Sequence, residues 1–113
     1  MKSIDFYYKG IEEFNKKNYL SAIEYFKISG SLENHYKTYE MLFQCWKAVS
    51  NMNEAYDCIK KAYVLNSAND KVAYEYAETS VQFGDKESSQ KVLTEILKRN
   101  PTYKKARQLL DLI

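Results

Sequence analysis

The stretch Tyr39-Glu40-Met41-Leu42-Phe43-Gln44-Cys45-Trp46 places large apolar side chains at positions 39, 42, 43 and 46. That is the i, i+3, i+4, i+7 spacing of one α-helical face. Thirty-four residues later, Ala73-Tyr74-Glu75-Tyr76-Ala77-Glu78-Thr79-Ser80 sets Ala73, Tyr76, Ala77 and Ser80 in the same register. The segments that follow also repeat. Ala55, Ile59 and Ala62 recur 34 residues on as Ser89, Leu93 and Ile96, and Ala22, Phe26 and Ser29 precede them by 33. The period therefore runs three times. A unit of this size is a pair of amphipathic helices that cannot bury its apolar face alone and relies on its neighbours.

Turn chemistry divides each unit. Asn18, Asn51 and Asp85 stand before the second helix of each pair as expected N-caps. Asn51 is followed three residues on by Glu54, as in a capping box. Gly84 fits a left-handed helix close, and Asn100-Pro101 stops the sixth helix. The expected helices are 4–16, 19–31, 36–49, 52–65, 70–83, 86–99 and 102–112. The expected fold is all-α, an α-solenoid of antiparallel helix pairs with seven helices. One domain over 1–113 holds repeats 3–34, 36–69 and 70–102 and a capping helix 103–113.

Composition narrows the function classes. Seventeen Lys+Arg against 15 Asp+Glu leave a net charge of +2, too little to recruit nucleic acid or anionic lipid by bulk charge. The basic residues Lys98, Arg99, Lys104, Lys105 and Arg107 fit a solvated helix end better than a nucleic-acid site. There is no signal-peptide stretch and no apolar run long enough to span a membrane, so a cytoplasmic protein with no membrane association is expected. No Gly-rich phosphate loop, catalytic triad or metal-ligand cluster is present, so no enzyme, cofactor or metal is expected. His35 is the only histidine and reads as a solvated loop residue. Cys45 and Cys58 read as small buried hydrophobes, with a disulfide between their helices left open.

Eleven tyrosines then have to be placed. The register assigns Phe6, Phe14, Tyr19, Phe26, Tyr39, Trp46, Ile59, Tyr76, Leu93 and Ile96 to the core. Gly10-x-x-x-Phe14-x-x-x-x-Tyr19-x-x-Ala22-Ile23-x-x-Phe26, with Trp46, Ala55 and Ala62 in the second unit and Ala77, Gly84 and Pro101 in the third, resembles the tetratricopeptide repeat. Phe43 departs from that pattern, standing where the family has a small residue opposite Ala55, which implies a wider helix spacing in the second unit. Lys9 and Glu13 are polar where later units are apolar, as suits a first helix with no preceding repeat.

The resemblance implies that the first helices of successive repeats line a concave groove for a peptide or protein partner. The candidate contacts are Tyr7, Tyr8 and Ile11 in unit one, Met41, Gln44 and Lys47 in unit two, and Lys71, Tyr74, Glu75 and Glu78 in unit three. Tyr7, Ile11, Met41 and Tyr74 are expected as anchors, because aromatic residues and Met supply contact area. Family members that grip a Glu-Glu-Val-Asp chaperone tail use Lys, Asn and Arg where this chain has Tyr7, Ile11, Met41, Lys71 and Glu75. Only Lys71 matches, so binding of that tail is not expected. The functional expectation is a non-catalytic adaptor or co-chaperone-like module. The rival is a self-associating scaffold, a homodimer.

Overall fold

A computed structural model describes the whole chain, residues 1–113. It contains seven helices and no strand: α1 Ser3–Asn15, α2 Tyr19–Leu32, α3 Tyr36–Ala48, α4 Met52–Leu65, α5 Asp70–Gln82, α6 Lys86–Arg99 and α7 Lys104–Leu112. The first six match the expected ranges to within a residue. The seventh starts at Lys104 rather than 102, because Tyr103 serves as its N-cap, with φ −74° and ψ 92°.

The turn inside each repeat has one geometry. Lys17, Ser50 and Gly84 take positive φ of 64°, 63° and 82°. The next residue's N–H reaches back five positions, Asn18 to Glu13 O (2.9 Å), Asn51 to Trp46 O (2.8 Å) and Asp85 to Ser80 O (2.9 Å). The left-handed residues themselves bond to Phe14 O, Lys47 O and Val81 O. This pair of bonds is the Schellman close, which satisfies carbonyls that a helix end leaves open.

The expected caps hold at two of three positions. Asn51 Oδ1 accepts from Glu54 N–H at 3.3 Å and Asp85 Oδ1 from Ser88 N–H at 3.1 Å. Asn18 does not cap α2; its side-chain amide donates to Glu13 Oε2 at 3.0 Å, so the carboxylate of α1 has taken it. Asn69 caps α5 through Val72 N–H at 3.0 Å. His35 is exposed, but it is not an idle loop residue: its Nδ1 accepts from Lys37 N–H at 3.2 Å at the start of α3.

The chain forms two compact units, residues 1–65 and 66–113. In the first, α1 to α4 pack in sequence order around Ala22, Ile23, Phe26, Leu42 and Cys45. Gly10 is buried because α1 and the Phe26 ring approach closely; a Cβ there would stand 2.6 Å from the ring. The start of α1 and the end of α2 are tied by Ser3 and Ser29. Each hydroxyl donates to the other residue's carbonyl at 2.9 Å, and the two oxygens lie 2.9 Å apart. Phe43 is fully buried.

In the second unit α5, α6 and α7 bury Val72, Ala73, Ala77, Leu93, Ile96 and Ala106. Arg99 clamps the start of α5 to the end of α6, donating to Asp70 Oδ1 at 2.6 Å and to Ser67 O at 3.1 Å. Ser89 is fully buried and its hydroxyl has no hydrogen-bond partner.

Of the expected core, Phe26, Ile59, Leu93 and Ile96 are buried, whereas Phe6, Phe14, Tyr19, Tyr39, Trp46 and Tyr76 are half-buried. Lysines reach two of these rings. Lys27 Nζ lies 5.6 Å over Trp46 and Lys61 Nζ 5.5 Å over Tyr39, both within cation–ring range. Cys45 is buried and Cys58 half-buried, both as free thiols.

Candidate functional site

The sequence-derived candidates lie on α1 and α3 in the first unit and on α5 in the second. In the first unit Tyr7 is half-buried, its ring 5.7 Å from Phe26 and 5.8 Å from Tyr8. Burial raises the Tyr7 hydroxyl pKa, and the Glu40 carboxylate and the Tyr8 and Tyr36 hydroxyls push it further up. Glu40 accepts from Gln44 Nε2 at 2.9 Å, so Gln44 is held along its own helix. Ile11 and Met41 are also half-buried against the core, which gives these anchors a packing role beside any contact they make. Lys47 is exposed, with Nζ 5.0 Å over Phe43 one turn earlier.

Tyr8 is the exposed aromatic of the set, at 64%. With Ile4, Tyr7, Ser3, Ser29, Thr38, Glu33, His35 and Lys37 it lines a cleft of about 390 Å³ between the starts of α1 and α3 and the end of α2. The cleft has an apolar, aromatic wall on α1 and a polar wall on α3. Of its lining only Tyr7 and Tyr8 belong to the sequence-derived set, and Ile4, His35 and Thr38 are among those outside it. Ile4 was findable, since Ile4, Tyr8 and Ile11 fall at i, i+4, i+7; His35 and Thr38 enter only because helices distant in sequence converge. A second cleft, about 400 Å³, is lined by Asn34, Tyr39, Lys60, Lys61, Val64 and Leu65 and includes none of the candidates.

In the second unit Lys71, Tyr74, Glu75 and Glu78 share α5. The Tyr74 hydroxyl donates to Glu78 Oε2 at 3.3 Å. Its pKa is raised by burial first, then by the Glu78 charge and hydrogen bond. Tyr103 sets its ring 6.2 Å from that of Tyr74, and Lys105 Nζ lies 5.9 Å over the Tyr74 ring. The Tyr103 pKa is also raised, by burial and then by Asp70 and Glu75, with Lys71 opposing. The sequence places Tyr103 and Lys105 in the capping helix, Lys105 among its solvated basic residues. No spacing signal ties them to α5, because they reach it only through the packing of α7.

No group of three or more His, Cys, Asp or Glu side chains is arranged to hold a metal ion. Burial pushes the Cys45 thiol up to about 12 and the Cys58 thiol up to about 11, so both stay protonated at neutral pH. No helix is long and apolar enough to cross a membrane.

No protein-family model matches the sequence, and no curated protein matches it. Solved structures match the fold at low identity. The Yersinia enterocolitica type III secretion chaperone SycD, in complex with a peptide of the translocator YopD, superimposes with a TM-score of 0.79 at 14% identity over 96% of this chain and 88% of that one. The first tetratricopeptide domain of Spaghetti (RPAP3), bound to the HSP90 peptide SRMEEVD, gives 0.81 at 16% identity over 97% and 88%. Yeast Tom70 gives 0.82 at 22% identity over 96% of this chain and 23% of that one. The fold is the tetratricopeptide α-solenoid, three helix pairs and a capping helix.

Proposed function

From this fold, we propose that the chain is a non-catalytic protein-interaction module, adaptor or co-chaperone-like, that takes a peptide or partner segment on the faces built by its first helices. The observation that carries the reading is the 390 Å³ cleft of the first unit, where exposed Tyr8 and Ile4 stand beside a polar wall containing Lys37 and Glu33. An apolar wall with a few placed polar groups is the usual composition of a recognition pocket. The YopD and HSP90 peptides held by two proteins of like fold support it.

The test is an affinity pull-down from source cells with three forms: wild type, Tyr8→Ala, and the double variant Tyr7→Ala with Tyr74→Ala. Tyr8 is exposed, so its truncation is expected to leave helicity intact. Loss of the same partner in both variants, with unchanged circular dichroism for Tyr8→Ala, is the expected result. Undiminished capture by both variants sinks the assignment.

The chaperone tail is not the expected ligand. A tail carboxylate needs several cationic and amide donors, whereas Glu75 places a like charge beside Lys71. Calorimetry with a Glu-Glu-Val-Asp peptide is expected to show no useful affinity. Self-association is the second reading, favoured by Leu20, Ile28 and Leu32, which α2 leaves 68%, 40% and 55% exposed. Sedimentation across a concentration series separates a dimer from a monomeric module.

A further inference from the structure

The second unit carries a feature that the tetratricopeptide pattern does not supply. Tyr74 and Tyr103, from α5 and the start of α7, set two rings 6.2 Å apart, and the Tyr74 hydroxyl is held by the Glu78 carboxylate at 3.3 Å. An ammonium already lies there: Lys105 Nζ is 5.9 Å from the Tyr74 centroid. We propose that this face is a receptor for a cationic side chain, the guanidinium or ammonium of an arginine or lysine on a protein partner, and that Lys105 is its internal occupant until the partner arrives. The inference rests on the protein-interaction reading and gives it a chemistry.

Three observations carry it. A ring face attracts a cation through its quadrupole, and a carboxylate at its edge adds direct charge. The surroundings of both rings are electronegative: Glu78 acts on Tyr74, and Asp70 and Glu75 act on Tyr103 more strongly than Lys71 offsets them. The resident lysine is held near the outer limit of a cation–ring contact and belongs to an exposed position on α7, so displacing it costs little. Other lysines cover rings in the first unit, for example Lys60 at 4.2 Å over Tyr56 one turn earlier on its own helix. Lys27 and Lys61 likewise reach rings on another helix; the Lys105 site adds a second ring and a carboxylate beside the first. An arginine fits better than the resident, since its planar fork can stack on the rings and donate to Glu78 together.

The experiment titrates a short capped peptide of alternating arginine, alanine and glycine against the wild-type chain, reading the ring signals of Tyr74 and Tyr103 by NMR. The same peptide with citrulline in place of arginine keeps the shape and removes the charge. The arginine peptide is expected to move both ring signals saturably and the citrulline peptide to leave them. Lys105→Ala is expected to bind the arginine peptide about three-fold more tightly than Lys104→Ala, which removes the same charge from the neighbouring position. Tyr103→Ala is expected to lose the effect. Equal response to both peptides, unmoved ring signals, or no excess of Lys105→Ala over Lys104→Ala overturns the receptor. If the Tyr8-dependent partner is still captured in that case, the receptor alone has failed. If the arginine peptide binds while no partner depends on Tyr8 or Tyr7 and Tyr74, the module reading has failed instead.

Discussion

Two serines that stand where another repeat has alanine, Ser29 in the register of Ala62 and Ser89 in that of Ala55, have opposite energetics. Ser29 exchanges hydrogen bonds with Ser3, while Ser89 is buried with its hydroxyl unmatched. Leaving a buried hydroxyl unmade costs more than a made bond returns. Ser89→Ala should therefore raise stability by about 1 kcal/mol, helped by the better helix propensity of alanine. Ser29→Ala should lower it by about 1 kcal/mol. Urea midpoints at constant m-value check both, and two shifts of the same sign would contradict the hydrogen-bond assignment. Sequence alone could not separate the two, because both are Ser-for-Ala at helix positions facing a neighbour. What distinguishes them is Ser3, twenty-six residues from Ser29. The site shows the same limit. Tyr8 was legible as an exposed aromatic, but Tyr103 joined Tyr74 only through the packing of α7.

At the scale of the element, helix boundaries were legible because apolar periodicity and turn residues agreed, as in Asn51 with Glu54 and in Gly84 before Asp85. Two of the three left-handed turn residues were not, since Lys17 and Ser50 have no preference for positive φ and adopt it because the helices on either side demand it. Replacing either by glycine should stabilise the fold by about 0.5–1 kcal/mol, after allowing for the freer unfolded chain. A loss on either replacement would mean that the side chain, and not the turn, sets that position. Caps give a second contrast. Asn51→Ala, Asn69→Ala and Asp85→Ala should each cost about 1 kcal/mol, whereas Asn18→Ala should cost less because Asn18 donates to Glu13 and does not cap α2. Thermal melts of the four variants test the ranking.

The whole molecule couples its core to alkaline pH. Cys45 and Cys58 ionise from 9.0 in the unfolded chain but only at about 12 and about 11 in the fold, mainly because both are buried. Below pH 9 both states keep their protons and the contribution is constant. Above it the unfolded state loses protons first, so stability falls as pH rises from 9 toward 12. Tyr7, Tyr74 and Tyr103, raised from 10.0, act in the same direction at higher pH. A Cys45→Ala, Cys58→Ala chain should therefore lose less stability than wild type between pH 9 and 10, measured as urea midpoints; equal slopes would refute the thiol contribution. The turns carry one more consequence, for how the chain tolerates added length. Three residues separate the helices inside every repeat, at 16–18, 49–51 and 83–85, while the joints between repeats hold three residues at 33–35 and four at 66–69 and 100–103. One residue inserted inside a repeat would rotate the following helix by about 100° and turn its buried stripe toward water. The joints between repeats already differ by one residue, so an insertion there is expected to be tolerated where it spares Ser67, Asn69 and Tyr103, which accept from Arg99, cap α5 and start α7.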